Sequence, residues 1–83
     1  MKVTVRYFAA LREAAGQGSE VLETSAATVG DLLAQLRARP GPLAAALLSG
    51  HPVRMALDQV LCPPEAPLHE GAEVAFFPPV TGG

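Results

Sequence analysis

The sequence predicts an α+β fold in which one main helix packs on one face of a mixed β-sheet. Three observations predict it: apolar and polar residues alternate at the start, an amphipathic helical pattern occupies the middle, and strand-like segments follow. The chain has 83 residues, of which 49% are hydrophobic and 17% charged. This balance is typical of a compact domain, so we expect a single domain over residues 1–83.

The opening segment "MKVTVRYFA" has the period of two that is typical of a half-buried strand. Val3, Val5 and Tyr7 fall on one face and would be buried. Phe8 has the parity of the polar residues, so we expect it on the outer face of the sheet. The segment "ALREAAGQG" then predicts a short helical turn that ends at its glycines, and "SEVLET" predicts a second strand paired with the first.

The main helix is predicted over "TVGDLLAQLRAR". Thr28 and Asp31 are spaced as in a capping box, and the apolar residues that follow recur at helical spacing. After Pro40, "LAAALLSG" predicts a second short helix. "VRMALDQVLC" predicts two strands joined by a tight turn near Asp58 and Gln59.

The last strand is predicted in "AEVAFFPP", where Pro78 and Pro79 end it because proline lacks the amide hydrogen of a ladder. The order of elements favours a ubiquitin-like β-grasp roll, with a mixed sheet and one main helix packed on one face. In such a roll the first and last strands lie side by side at the centre. Residues 78–83 would then leave one end of the sheet as a flexible C-terminal tail.

The composition argues against several classes of partner. The formal net charge is −2 and the basic residues are scattered, so we expect no binding to nucleic acid. We expect no membrane span, because no apolar run reaches about 18 residues. A lone Cys62 cannot form an internal disulfide, and a cytoplasmic protein is the default expectation.

The residues also argue against catalysis by the chain alone. Cys62, His51 and His69 do not have the spacing of a metal site, and the two histidines lie in turns where solvated residues are the default. The carboxylates are dispersed, and no nucleotide-binding glycine loop is present. We therefore expect no metal, no bound cofactor and no free-standing enzyme.

Three apolar residues are predicted to share the uncovered face of the sheet. Phe77 has the parity of an outer residue in the last strand, as Phe8 has in the first, and Leu61 can face the same side. The patch of Phe8, Leu61 and Phe77 suggests a docking surface for a partner. The alternative is that these are scattered surface hydrophobes, which are common in soluble proteins.

The tail has the composition of a segment that enters a narrow active site. Pro78 and Pro79 favour an extended conformation, Val80 offers an apolar contact, and Thr81 offers a hydroxyl. Gly82 and Gly83 have no Cβ and fit a narrow channel. A carboxylate at Gly83 is a poor electrophile, so its covalent use requires activation by a partner, most simply as an acyl-adenylate. The alternative is a frayed terminus.

The segments "VRYFAALRE" and "GAEVAFFPPVTGG" resemble the small subunits of molybdopterin synthase, and the resemblance extends over the whole chain. It implies a sulfur carrier whose terminal glycine, here Gly83, is adenylated by an E1-like adenylyltransferase and converted to a thiocarboxylate. The tail, Val80 to Gly83, would then enter the large synthase subunit and donate sulfur to cyclic pyranopterin monophosphate in molybdenum cofactor biosynthesis.

The resemblance also implies a heterotetramer of two carriers and two large subunits. Phe8, Leu61 and Phe77 correspond to the docking surface of the family, and Arg12 matches a position near the partner interface. Two other functions stay open. One is a carrier or modifier for tRNA thiolation, thiamine synthesis or protein conjugation, and the other is a purely non-covalent docking module.

Overall fold

The computed structural model describes residues 1–50 and 52–79. Eight elements follow in chain order: β1 (Lys2–Tyr7), α1 (Ala10–Ala15), β2 (Ser19–Glu23), α2 (Val29–Arg37), α3 (Pro42–Leu47), β3 (Arg54–Leu57), β4 (Val60–Leu61) and β5 (Glu73–Phe77). The predicted roles of His51 and of Val80 to Gly83 lie outside the described residues.

The strands form one five-stranded sheet in the order β2-β1-β5-β3-β4. β1 and β5 are parallel neighbours at its centre, and the other pairings are antiparallel. This mixed sheet with helices packed on it is the predicted β-grasp arrangement, and the fold prediction is confirmed. β5 ends at Phe77, immediately before the two prolines.

α2 begins where the sequence predicts, because Thr28 caps it. The Thr28 hydroxyl accepts a hydrogen bond from the Asp31 amide at 3.1 Å, which satisfies one of the free N–H groups of the first turn. The apolar face of the helix is buried against the sheet, through Val29, Leu32, Leu33 and Leu36. The amide groups of Val29 and Gly30 donate to the carbonyls of Ala66 and Pro64, so the loop after β4 is fastened to the start of α2.

The core lies between the helices and one face of the sheet. Its strand residues are the alternate, fully buried side chains of the central strands, Val3, Val5, Tyr7, Val74 and Phe76. α1 and α3 add Leu11, Leu43 and Leu47 to the same cluster. The core cluster of the described residues therefore lies on one side of the sheet.

The other side of the sheet is called the open face here. The pairing register places Arg6, Ala75, Ala56 and Leu61 in one row across it, from β1 to β4. Arg54 and Phe77 form the next row. None of these residues belongs to the core cluster of the described chain.

Candidate functional site

Phe8 and Phe77 lie in contact at one end of the open face. Their ring centroids are 6.4 Å apart and the rings are nearly perpendicular, at 89°, which is a favoured edge-to-face arrangement. The parallel register pairs Tyr7 with Phe76. Phe8 and Phe77, the next residues along the two strands, therefore lie at the same end of the sheet. Phe8 is 41% exposed although it is large and apolar.

A groove of about 670 Å³ begins at this aromatic pair. The small side chains of Ala56 and Ala75 line it between the taller residues of neighbouring positions. Pro78 and Pro79 also line it, so the segment that leads to the tail starts at the groove.

Arg6 and Glu73 supply the charges beside the groove. The Arg6 guanidinium lies 5.5 Å from the centroid of the Phe8 ring, within cation–π range. One of its nitrogens is 3.8 Å from a Glu73 carboxylate oxygen. The two charges offset each other, so this part of the open face is close to neutral.

Leu61 lies on the open face, but outside the groove. It pairs with Ala56 and is 65% exposed. It lines a neighbouring depression of about 410 Å³ together with Arg54 and Pro63. The structure thus brings Phe8 and Phe77 into contact and sets Leu61 on the same face, with Ala56 between it and β5.

Arg12 stands apart from the three apolar residues. It is exposed on α1, and its side chain runs past Gly18, where an added Cβ would be 3.3 Å from the Arg12 Nε. It does not line the groove. Any contact of Arg12 with a docked partner would therefore be at the margin of the surface.

Asp58 and His69 form a contact that the sequence analysis missed. The Asp58 carboxylate lies 2.6 Å from the His69 Nε2 atom, and its other oxygen accepts the Glu73 amide hydrogen at 3.0 Å. The backbone hydrogen bond from Glu73 and the His69 contact lower the pKa of Asp58. The hydrogen bond to Asp58 raises the pKa of His69. In the sequence, Asp58 lies in a predicted turn and His69 in a loop before the last strand, and no local pattern brings the two together.

Cys62 is not positioned as a nucleophile. It is half-buried beside the core, and burial raises the pKa of its thiol, which keeps it protonated. Within residues 1–50 and 52–79 no three His, Cys, Asp or Glu side chains are grouped to hold a metal ion. Over the same residues no helix has the length and apolarity needed to cross a membrane.

The fold and the open face define the chain as a ubiquitin-like β-grasp protein with an uncovered apolar surface at the end of its last strand. A family model described as the ThiS family matches residues 5–83, and the chain belongs to this family.

Three similar proteins carry the name molybdopterin synthase sulfur carrier subunit, and two of them are described here. The proteins of Haemophilus influenzae and of Escherichia coli are each 38% identical over 81 residues, covering 98% of this chain and 99% of theirs. The resemblance noted from the terminal segments is therefore confirmed.

Several solved structures show the same fold, and two of them bear on function. SAMP1, a small archaeal modifier protein of Haloferax volcanii, matches with a TM-score of 0.79 and 25% identity, covering all of both chains. The complex of subunits 1 and 2 of the molybdopterin-converting factor of Helicobacter pylori contains a chain that matches with a TM-score of 0.68 and 26% identity, again over both full lengths.

Proposed function

We propose that this chain is the sulfur-carrier subunit of a molybdopterin synthase. The observation that carries the proposal is the full-length similarity to relatives with that name, together with an exposed aromatic surface at the root of the tail. The chain is then a covalently loaded substrate and subunit, without catalytic activity of its own.

The sulfur is carried at Gly83. Its carboxylate attacks the α-phosphate of ATP on an E1-like adenylyltransferase, which releases pyrophosphate and leaves an acyl-adenylate. Hydrosulfide attacks the acyl carbon and displaces AMP, which gives a thiocarboxylate. The acyl-adenylate is needed because a free carboxylate, with a pKa of about 3.3–3.7, is ionised and unreactive at neutral pH.

The docking surface consists of Phe8, Leu61 and Phe77, with Arg12 at its margin. The large synthase subunit covers the open face, and Val80 to Gly83 enter its active site to donate sulfur to cyclic pyranopterin monophosphate. Support for this partner comes from the complex of two molybdopterin-converting factor subunits that contains a similar chain. Two carriers and two large subunits form the assembly, in the cytoplasm.

A second candidate function is conjugation to other proteins, or sulfur supply to another thiolation pathway. The similarity to SAMP1, whose name identifies it as a modifier, favours it. In that case Gly83 forms an amide with an amine, or its sulfur goes to a different acceptor. A non-covalent docking module is the third function, and it does not require Gly83.

The test is the intact mass of the chain after incubation with ATP, an E1-like enzyme of the same genome and a sulfur source. We expect a gain equal to the replacement of one oxygen by sulfur. The gain should disappear when the large subunit and cyclic pyranopterin monophosphate are added. A gain that persists would indicate another thiolation pathway. Attachment of the chain, through Gly83, to lysines of other proteins would indicate conjugation.

Two variants provide the controls. Deletion of Gly83, or extension of the chain by one residue, should abolish the gain in mass and leave the amide NMR spectrum of the folded body unchanged. Normal sulfur transfer by either variant would contradict the proposal. Binding of the large subunit without any sulfur loading would favour the docking module.

A further inference from the structure

Two arginines lie on the open face beside the end of β5. The pairing register sets Arg54 opposite Phe77, the last residue of β5, and sets Arg6 opposite Ala75, one row earlier. Arg54 is exposed, and the side chain of Arg6 is 46% exposed. Two cationic groups therefore lie within two rows of the point where the tail leaves the sheet.

The amines of the chain lie at the other end of the sheet. Lys2 is the only lysine in the sequence, and it is exposed at the start of β1. It precedes Tyr7 by five residues of strand, which is a distance of about 17 Å. The amino group of Met1 lies beside it, donates to the Thr24 carbonyl at 3.0 Å and is 3.5 Å from a Glu23 carboxylate oxygen.

This distribution matters because an activated acyl group at Gly83 reacts with amines. A neutral lysine nitrogen attacks the acyl carbon, AMP leaves from the acyl-adenylate, a proton passes from the nitrogen to solvent, and an amide remains. A guanidinium stays protonated because its pKa lies above about 12, so it has no free electron pair for this attack. Arginine therefore supplies a positive charge that cannot be acylated.

The length of the tail makes the position of an amine decisive. Residues 78–83 span at most about 20 Å when fully extended. The effective concentration of a tethered group is negligible where the tether cannot span the distance, and highest where the span matches its ordinary length. An amine in the row of Phe77 or of Ala75 would lie well within this reach. Lys2 is reached only by a tail stretched almost fully back along the open face.

We propose that Arg6 and Arg54 keep the root of the tail free of acylatable amines, so that the activated terminus does not react with its own chain. The acyl group is then consumed by an external nucleophile, sulfide or the amine of an acceptor. Cys62 does not compete, since its half-buried thiol stays protonated. This inference rests on the proposed function, because it concerns the activated form of Gly83.

The test uses a thioester of Gly83 with 2-mercaptoethanesulfonate, made by thiolysis of an intein fusion, so that no activating enzyme is required. Hydrolysis gives the free acid. Attack by a lysine of the same chain expels the thiolate and gives a lactam, whose mass is lower than that of the acid by one water. We expect the wild type to give the acid, and Arg54→Lys and Arg6→Lys to form lactam at least about tenfold faster than the wild type.

Three controls accompany these variants. Arg54→Gln removes the charge without adding an amine and should form no lactam above the wild-type level. Thr4→Lys adds an amine one row beyond Arg6 and should react at an intermediate rate. In urea the lactam rates of Arg6→Lys and the wild type should become equal, because residues 6 and 2 are almost equally far from Gly83 along the unfolded chain. Amide NMR spectra verify the fold of each variant in buffer.

Three outcomes would overturn the inference. One is that folded Arg54→Lys and Arg6→Lys form no more lactam than the wild type. Another is that the wild type cyclises through Lys2 as fast as these variants, because the arginines would then protect nothing. The third is that Arg6→Lys still reacts tenfold faster than the wild type in urea, because the difference would then not come from the fold.

The sulfur-loading assay separates this inference from the proposed function. If the wild type gains sulfur but the thioester of Arg54→Lys does not cyclise, only the role of the arginines is wrong. If the wild type gains no sulfur but the thioesters of Arg54→Lys and Arg6→Lys cyclise and that of the wild type does not, the carrier function is wrong and the placement of the amines still holds.

Discussion

His69 is held between two acceptors: its Nε2 atom lies 2.6 Å from the Asp58 carboxylate, and its Nδ1 atom lies 3.0 Å from the Glu70 carbonyl oxygen. Neither acceptor can donate a proton. A neutral imidazole has one N–H group and can satisfy only one of them, whereas the imidazolium satisfies both. The geometry therefore favours the charged form of His69, and the contact ties the loop before β5 to the β3–β4 turn.

The first prediction concerns the pKa of His69. The hydrogen bond to Asp58 raises this pKa above its ordinary value of 6.5. In an NMR titration of the ring Cε1–H signal, the wild-type midpoint should lie above 6.5, and Asp58→Asn should bring it down towards that value. A variant midpoint equal to or above that of the wild type would contradict the assignment of Asp58 as the cause.

The same contact makes stability depend on pH in a defined direction. The folded state raises the pKa of His69. The stabilisation that this contact gives is therefore complete below about pH 6.5, and it is lost as the pH rises through the pKa of His69 in the folded protein. Because the folded state lowers the pKa of Asp58, the contribution is also lost as the pH falls below about 4. His69→Ala should therefore lower the melting temperature more at pH 5 than at pH 8.5. A larger difference at the alkaline pH would contradict it.

The second prediction compares two exposed leucines. Leu61 on the open face is 65% exposed and Leu48 after α3 is 62% exposed, so aspartate at either position should be tolerated by the fold. Leu61→Asp places a charge in the proposed docking surface and should weaken binding of the large subunit by about tenfold or more. Leu48→Asp should not. Calorimetric titration measures both, and equal affinities of the two variants would remove Leu61 from the interface.

The third prediction concerns the close approach of α2 and the loop after β4. A Cβ added at Gly30 would lie 2.9 Å from the Pro64 Cβ and 3.1 Å from the Pro64 carbonyl oxygen. Alanine in a helix is ordinarily more stable than glycine by about 1 kcal/mol, but here the contact should reverse the sign. Gly30→Ala should lower the free energy of unfolding by about 1–3 kcal/mol in urea titrations, as overpacking does.

Gly18→Ala is the control for that measurement. The three atoms nearest to an added Cβ there belong to the flexible side chain of Arg12, the first at 3.3 Å, and this side chain can move aside. We expect an effect below about 0.5 kcal/mol, as for an ordinary surface substitution. A stabilising Gly30→Ala would mean that the loop does not hold its position against the helix.

The fourth prediction concerns Tyr7, the largest polar side chain of the core. Its ring is 1% exposed, and its hydroxyl donates to the Glu20 carboxylate at 2.6 Å. Desolvation, followed by the bond to Glu20, raises the pKa of the phenol above its usual range. Tyr7→Phe should cost about 1.5 kcal/mol of unfolding free energy, as for a hydrogen bond to a charged group. Arg39→Ala, which removes the exposed partner of Glu20, should cost less than about 1 kcal/mol. The reverse order of the two costs would contradict this.

The elements of the fold were predictable because each depends on a local pattern. The alternation in β1 places Phe8 outside, and the spacing of Thr28 and Asp31 predicts the start of α2. The turn at Asp58 and Gln59 has the positive φ angles, 50° and 69°, of a two-residue hairpin loop. Such signals lie within a few neighbouring residues and can be recognised without knowledge of the tertiary structure.

The details of the candidate site depend on register between distant segments. Ala56 and Ala75 are unremarkable in the sequence and become a groove floor only because β3 and β5 pair at those residues. His69 and Asp58 meet for a similar reason, since the loop before β5 passes the β3–β4 turn. No local pattern gives the pairing register, so the sequence could predict the patch residues but not the groove.

The central position of β5 has a mechanical consequence. If a partner draws the end of the chain into its active site, as proposed, the pull reaches the sheet through residues 78 and 79, which follow β5. β5 is bonded on both sides: the hydrogen bonds to antiparallel β3 are perpendicular to the strand, and those to parallel β1 are slanted across it. They are loaded together in shear and must break together, so tension on the tail reaches the middle of the sheet without peeling off a strand. The folded domain can thus resist a pulling force that would detach an edge strand one hydrogen bond at a time.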